Sequence, residues 1–482
     1  MYANMKYFAR KQDGGRKVVK MDSNFEIFNA TSRGRGIRSK VRVNKGDTIL
    51  FQEPHVFVSR SEMLGRICDN CLSMGDIKLQ RCSACKMVYY CGENCHRNAW
   101  ATHKLECKYL KKFSAAMPSD TVRMLSLLLL KKDTPKWLDD LVSHSEHIRS
   151  KKGDVFAYML KMLDKYFDGG LEWSNERVFE LFCKVNCNAF TICDGELKPI
   201  GLGLYQTAAF LNHSCEPNCI AVFIGATCHI RNIKNVEQDQ ELFISYTELM
   251  RPRAVRQDEL REQYYFDCAC PRCVNELEYG SEMNSLKCLN RECPNAVGFS
   301  KDTMVCSECG STVPTDFASG NITQLYEKIE ATLSTFNQAT SHSENLSKEL
   351  NVLEQLLTDV DAILHSQNYK VLKIVDKISD ICIGMGLWNK AIYYCKRSLD
   401  SYLKFYAKYH PSTAIQLYRI GKLEVYLDML DAGISTLSQA RALLTVCYGK
   451  NHALTTQLNE LLVKTVQEKY MSEQHPAMIE QR

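Results

Sequence analysis

The stretch of sequence that decides the fold is Asn212-His213-Ser214-Cys215-Glu216-Pro217-Asn218-Cys219. Two shorter stretches follow it, Ile244-Ser245-Tyr246 and Cys268-Ala269-Cys270-Pro271-Arg272-Cys273. A metal site by itself needs the cysteines but not the Asn-His pair or the Pro-Asn step. A turn by itself does not need the distant cysteines. The three stretches together are therefore a far more specific signal than any one of them.

A second cysteine-rich block, at residues 66–108, precedes this stretch. Together the two blocks resemble the SET-domain lysine methyltransferases, and among them the SET and MYND domain (SMYD) family. The resemblance implies an α+β multidomain protein. Its parts are a split SET-domain β-fold with an inserted MYND zinc finger and a helical insert, a post-SET zinc site, and a C-terminal all-α, tetratricopeptide-like helical arm. Specific motifs cover about residues 25–275, and the helical arm is similar only in architecture.

The chain has 482 residues, which exceeds what one hydrophobic core usually supports, so we expect several domains. The predicted segments are a basic N-terminal tail (1–22), the N-terminal part of the SET domain (23–64), the MYND finger (66–108), the helical insert (115–187), the SET core (188–260), the post-SET zinc segment (261–275), an additional zinc-ribbon-like segment (285–312) and the helical arm (320–470). The ribbon-like segment is predicted from cysteine spacing alone.

Composition limits the classes of partner. The net charge of +5 is too small by itself to indicate a nucleic-acid-binding protein. Basic residues crowd the first twenty positions, which allows either a phosphate-binding arm with weak DNA contact or a solvated tail. The tail is favoured because few aromatic residues interleave with the charges. The longest apolar patch, at 125–130, is too short to span a bilayer, so no membrane partner is expected.

The 23 cysteines indicate metal binding. We expect an intracellular protein, cytoplasmic and nuclear, where thiols stay reduced, and an odd count also argues against a disulfide framework. In the finger, eight ligands occur in four closely spaced pairs, enough for two tetrahedral zinc sites. The resemblance implies that Cys68, Cys71, Cys91 and Cys95 hold one zinc, and that Cys82, Cys85, His103 and Cys107 hold the other. A metal-free cysteine-rich core is the disfavoured alternative.

Two further metal sites are predicted after the finger. Cys268, Cys270 and Cys273 supply only three ligands, and the resemblance implies that Cys215 is the fourth. Cys288, Cys293, Cys306 and Cys309 have the spacing of a zinc ribbon. The cofactors expected are therefore S-adenosyl-L-methionine and three zinc ions, or four if the ribbon binds metal.

The resemblance also implies the catalytic residues. Tyr246 matches the catalytic tyrosine of the family, and Phe190 and Tyr264 would line the channel for the substrate lysine. Each of these could also be an ordinary core aromatic. The residues implied for the cofactor are Arg33, Gly34, Arg35, His144, Asn188, Asn212, His213, Tyr246 and Phe266. Gln206 and Ala209 stand where relatives often carry Pro and Ser, which predicts slow rather than absent catalysis.

The leading hypothesis is a protein-lysine N-methyltransferase that uses S-adenosyl-L-methionine and acts on histones, non-histone proteins or both. The alternative is a transcriptional cofactor or scaffold with a weak or inactive SET domain, which binds proline-containing or acidic partners through the finger and the helical arm. The intact Asn212, His213 and Tyr246 favour the enzyme. A monomer is expected.

Overall fold

The computed structural model describes residues 24–30, 33–75, 78–113, 117–131, 135–275, 282–298, 304–337 and 343–474. The basic tail predicted at 1–22 lies outside the described residues. The chain divides into two compact units. The first unit comprises the chain up to Asn212 with Asn218–Ile244 and Arg261–Phe266, and the second comprises His213–Pro217, Ser245–Leu260 and the chain from Asp267 onward.

Short strands in small antiparallel sheets build the first unit. They are β1 (Phe25–Ala30), β2 (Gly34–Ser39), β3 (Thr48–Gln52), β4 (Val56–Ser59), β5 (Gln80–Arg81), β6 (Tyr89–Tyr90), β7 (Phe190–Cys193), β8 (Pro199–Leu204), β9 (Asn212–His213, whose last residue belongs to the second unit), β10 (Cys219–Ile224), β11 (Thr227–Asn232) and β12 (Phe243–Ile244). One sheet has the order β10-β11-β3 and another the order β4-β8-β7. Strands from before and after the long insert therefore pair, as a split SET fold requires.

The insert is helical. Its helices and that of the finger are α1 (Glu93–Phe113), α2 (Asp120–Leu130), α3 (Ser145–Tyr166) and α4 (Asn175–Asn188). Serine caps begin two of them: Ser119 accepts from the N–H of Val122 and Ser174 from that of Arg177. The apolar patch of the sequence forms α2, whose residues 122–129 are all buried. No described helix combines the length and the apolar character that crossing a bilayer requires.

The second unit is mainly helical. Its elements are α5 (Arg253–Tyr264, ending in the first unit), α6 (Pro271–Val274), β13 (Ser285–Lys287), β14 (Ala296–Gly298), β15 (Met304–Val305), β16 (Thr312–Val313), α7 (Thr315–Asn337), α8 (Ser343–Asp361), α9 (Tyr369–Gly384), α10 (Trp388–Phe405), α11 (Pro411–Tyr426), α12 (Leu430–Cys447) and α13 (Ala453–Gln474). The helical arm thus begins at Thr315, before the predicted start at residue 320. The predicted α+β class with a helical C-terminal region is confirmed.

Candidate active site and metal centres

The structure gathers the predicted ligands into four groups, each with its ligand atoms within 4.8 Å of one another. They are the first finger centre (Cys68, Cys71, Cys91, Cys95), the second finger centre (Cys82, Cys85, His103, Cys107), the third centre (Cys215, Cys268, Cys270, Cys273) and the fourth centre (Cys288, Cys293, Cys306, Cys309). Measured Sγ–Sγ distances run from 3.3 to 3.8 Å. A Zn–S bond of about 2.3 Å in a tetrahedron implies a sulfur separation of about 3.8 Å, so the groups fit zinc.

The second finger centre is supported by a buried ionic network. Nδ1 of His103 lies 3.2 Å from a carboxylate oxygen of Glu106, which leaves Nε2 for the metal. Arg123 donates to both oxygens of Glu106, at 2.9 and 2.8 Å, and to Asp69 at 3.0 Å. Burial opposes ionisation of Glu106, but Arg123 outweighs it and holds the pKa of this carboxyl at about 2. One guanidinium therefore connects α2 to residues beside both finger centres.

The finger also packs closely against the SET sheet. Gly225, in the turn between β10 and β11, has a φ of +58°, and a Cβ there would lie 2.9 Å from the carbonyl oxygen of Cys71. Only glycine allows both this backbone conformation and this approach.

The third centre contains buried arginine as well as buried cysteine. Nε of Arg256 donates to Sγ of Cys215 at 3.3 Å, and its Nη2 lies 3.8 Å from Sγ of Cys273. Arg272 donates to the carbonyl oxygens of Cys215 at 3.3 Å and Leu249 at 2.8 Å. Four thiolates around one Zn²⁺ carry a net charge of about −2, and a buried guanidinium offsets part of it.

Tyr246 is connected to the third centre through His213. The backbone N–H of Tyr246 donates to Nδ1 of His213 at 2.9 Å, and the two rings lie 5.3 Å apart. Burial lowers the pKa of His213 to about 4, so the imidazole is neutral near pH 7. Because Nδ1 accepts a hydrogen bond, Nε2 carries the proton of the neutral ring. Nε2 lies 3.2 Å from Sγ of Cys215. A metal ligand therefore fixes the histidine that holds the backbone of the predicted catalytic tyrosine.

Residues 33–36, at the start of β2, and Asn212 meet at Glu241. This buried carboxylate accepts from Arg33 and from Nδ2 of Asn212, both at 2.8 Å. Nδ2 of Asn212 also donates to the carbonyl oxygen of Arg35 at 3.1 Å. A Cβ on Gly36 would lie 2.6 Å from Oε1 of Glu241, so glycine is required for this approach.

The end of α4 holds the segment that precedes α3. Nδ2 of Asn188 donates to the carbonyl oxygens of Val142 and Lys184, both at 2.7 Å. His144 follows in this segment with a φ of 44°, and its ring lies 5.3 Å from the ring of Tyr265. Asn188 therefore holds the backbone two residues before His144, and Tyr265 packs beside the His144 ring.

The aromatic residues predicted for the channel lie in the first unit. Phe190 begins β7, and its ring meets that of Tyr205 edge to face at 5.6 Å. Tyr264 ends α5, and burial raises the pKa of its hydroxyl. Two residues later, Phe266 ends the last segment of the first unit. Nε2 of Gln263 donates to the carbonyl oxygen of Asn186 at 2.7 Å, which attaches this segment to the end of α4.

Sequence reasoning missed three residues of these groups. Glu241 pairs with Arg38 in an isolated antiparallel bridge, and only its partners Arg33 and Asn212 reveal its role. Arg256 is one of many arginines in the sequence, although it is completely buried. Tyr265 stands between two residues that were predicted.

Comparison with known proteins agrees with this geometry. The SET domain family model matches residues 34–247. Histone-lysine N-methyltransferase SMYD3 of Homo sapiens is 28% identical over 457 residues, covering 91% of this chain and 96% of that protein. Histone-lysine N-methyltransferase ASHR1 of Arabidopsis thaliana is 27% identical over 467 residues (90% and 94%). N-lysine methyltransferase SMYD2 of Gallus gallus is 26% identical over 457 residues (92% and 99%).

Solved structures are similar only at a low level. The SET domain of LSMT bound to lysine and AdoHcy aligns with a TM-score of 0.26 at 12% identity, covering 95% of this chain and 89% of that one. Similarity this weak supports no argument about the site. The SET match, the similarity to SMYD methyltransferases over about nine-tenths of the chain and the zinc-like groups show that this chain is a SET-domain protein-lysine N-methyltransferase with S-adenosyl-L-methionine and zinc as its cofactors.

Proposed function

We propose that this enzyme methylates the ε-amine of lysine side chains in histones, in non-histone proteins or in both. The observation that carries the proposal is the connection Cys215–His213–Tyr246, in which a buried metal ligand orients a neutral histidine and the histidine holds the tyrosine backbone. Such rigid support is what positioning catalysis needs, since aligned reactants react far faster than free ones.

The residues proposed for the cofactor fit it chemically. Asn188, Asn212 and His213 are neutral polar groups, which suit a ligand that carries both charges. The side chains of Arg33 and Arg35 are paired, Arg33 with Glu241 and Arg35 with Asp140 at 3.3 Å, so residues 33–36 offer their backbone to the cofactor. When bound, S-adenosyl-L-methionine supplies a methyl group on a sulfonium sulfur.

The substrate amine must be uncharged to accept a methyl group, although a solvated lysine has a pKa near about 10.4. Phe190 and Tyr264 are proposed to line the lysine channel. Aromatic walls exclude water and so favour the neutral amine. Tyr246 is proposed to orient the amine and the methyl group with its hydroxyl.

The proposal extends to partners and location. Trp100 on α1 is 46% exposed, and its ring lies 6.0 Å from that of the zinc ligand His103. An exposed indole on a rigid finger suits docking of proline-containing peptides. Weak DNA contact is proposed separately, through the finger or the basic tail. None of the 23 cysteines forms a disulfide, which supports residence in the cytoplasm and nucleus. We propose a monomer.

The test uses the full-length, zinc-loaded protein with isotope-labelled cofactor, a histone mixture and a cell extract. Wild type should label protein, and Tyr246→Phe should abolish most of the transfer. Tyr426→Phe is the matched control, because it makes the same change at an arm residue that is 63% exposed, and it should leave labelling unchanged. Equal labelling by wild type and Tyr246→Phe would favour the scaffold alternative. Mass spectrometry of the labelled proteins decides between histone and non-histone substrates.

A further inference from the structure

The segment that follows Tyr246 is held at several points within the second unit. The hydroxyl of Thr247 donates to Glu259 on α5, and the carbonyl oxygen of Leu249 accepts from Arg272 of the third centre at 2.8 Å. Between them, a carboxylate oxygen of Glu248 accepts from the N–H of Met250 at 3.0 Å. The same oxygen has a second donor, which comes from a distant part of the chain.

That donor is Tyr406 of the helical arm. Its hydroxyl donates to Glu248 at 2.6 Å, across 158 positions of sequence. Tyr406 directly follows α10 and is only 7% exposed, whereas the Glu248 side chain is exposed. Burial raises the pKa of Tyr406 well above its usual value, and the nearby Glu248 carboxylate raises it further. The hydroxyl therefore stays protonated and donates.

The ring of Tyr406 has little freedom to move. It stacks on His410, with ring centres 4.4 Å apart and planes at 13°. The ring of Tyr402 lies 5.4 Å away, and the Tyr402 hydroxyl donates to Asp376 on α9 at 2.9 Å. The stack on His410 thus restrains the ring from which Tyr406 donates.

We propose that Tyr406 is a positioning residue for methyl transfer, through which the helical arm holds Glu248 and with it the segment 245–250 that begins beside the catalytic tyrosine. The inference rests on the proposed function of Tyr246. Tyr406 itself need not touch substrate or cofactor. Its effect arises because a small displacement of a catalytic group costs rate even when binding is retained.

The test removes one oxygen atom from the zinc-loaded full-length protein. Tyr406→Phe keeps the ring stacked on His410 and deletes the donor. We expect amide hydrogen exchange in peptides covering 245–250 to become about 10-fold faster. We expect kcat to fall about 10-fold while the KM for S-adenosyl-L-methionine stays within about 2-fold.

Three further variants separate positioning from general loosening. Tyr402→Phe is the matched control, since it makes the same change one turn earlier, on Asp376 rather than Glu248, and should leave exchange in 245–250 unchanged. Glu248→Ala should reproduce Tyr406→Phe, and the double variant should be no worse than either single one. Glu248→Gln should keep both the exchange in 245–250 and kcat at the wild-type values, because the amide oxygen still accepts the hydrogen bond of Tyr406.

Unchanged exchange in Tyr406→Phe overturns the inference, and so does faster exchange with an unaltered kcat. Equal effects of Tyr402→Phe and Tyr406→Phe also overturn it, because the arm would then act by overall stability. An inactive wild type would instead count against the proposed function, and the exchange experiment would still decide whether Tyr406 restrains the segment.

Discussion

The third and fourth centres have the same set of four thiols but different surroundings. All four cysteines of the third centre are buried, and Arg256 and Arg272 supply charge and hydrogen bonds around them. In the fourth centre Cys309 is exposed, whereas Cys288 and Cys306 belong to the same apolar core as α7–α11. The same set of four thiols therefore supports different parts of the protein in the two centres. The residues packed around the ligands, and not the ligands themselves, decide which part a structural metal supports.

The two centres are also connected to different parts of the backbone. The third centre reaches Tyr246 through His213. The strand beside Cys288 instead joins the arm: the N–H of Lys287 donates to the carbonyl oxygen of Ile363 at 2.9 Å, and Asn368 donates to that of Ser285 at 3.0 Å. Metal in the third centre should thus govern catalysis, and metal in the fourth should govern the stability of the arm.

The largest expected effect comes from breaking the third centre. Cys270→Ser should lower kcat by about 1,000-fold, because Cys215 and then His213 lose their fixed positions. Cys293→Ser in the fourth centre is the matched control and should change kcat by less than about 3-fold. Elemental analysis should show one zinc lost in each variant. Similar losses of kcat in Cys270→Ser and Cys293→Ser would show that the two centres do not differ in their effect on catalysis.

A variant of the fourth centre tests the stability of the helical arm. Cys306→Ser should destabilise the helical arm by about 3 kcal/mol or more, because metal binding and folding of such a module are one equilibrium. Hydrogen exchange should therefore rise in peptides from α7–α9 while peptides around 213–219 stay protected. Exchange that rises only around the third centre would contradict this expectation.

Lowering the pH should remove a destabilising charge from the core of the helical arm, whereas it should release zinc from the metal centres. Burial raises the pKa of Asp376 from 3.8 to about 6. The native state thus holds a proton more tightly than the unfolded state, so the ionised carboxyl costs stability above pH 6, and the cost disappears as pH falls towards 4. Asp376→Asn, which keeps an acceptor for Tyr402, should raise stability at pH 7 by about 2 kcal/mol.

Denaturation of wild type and Asp376→Asn at several pH values checks this, since zinc release at low pH is common to both proteins and cancels in their difference. The difference in unfolding free energy should shrink between pH 6 and pH 4. A difference that is constant with pH would mean that the carboxyl ionises normally.

The smallest expected effect is kinetic. A chelator should remove zinc from the fourth centre about 10-fold faster than from the third, because the exposed thiolate of Cys309 can leave the metal first. Alkylation of released thiols at timed intervals, read by mass spectrometry, identifies the order. Release from the third centre first would show that exposure does not control access.

The groups of metal-ligating residues were largely readable from the sequence because most of their members are closely spaced. Short cysteine spacings and the Asn212-His213 pair bring their residues together without knowledge of the fold. Glu241, Arg256 and Tyr406 could not be found in this way. Each is an ordinary residue type whose role arises only when a distant segment packs against it, and sequence spacing carries no record of such contacts.

The sequence by itself determined the short, fixed spacings of the cysteines, and the family resemblance that it carries implied the α+β class, the split SET organisation and the grouping of the thiols. The tertiary structure alone decided which carboxylates and guanidiniums support those groups: Glu106 with Arg123, Glu241 with Arg33, and Glu248 with Tyr406. The physical reason is that a charge or a hydroxyl acquires its role from its burial and its partners, and both are properties of the packed chain.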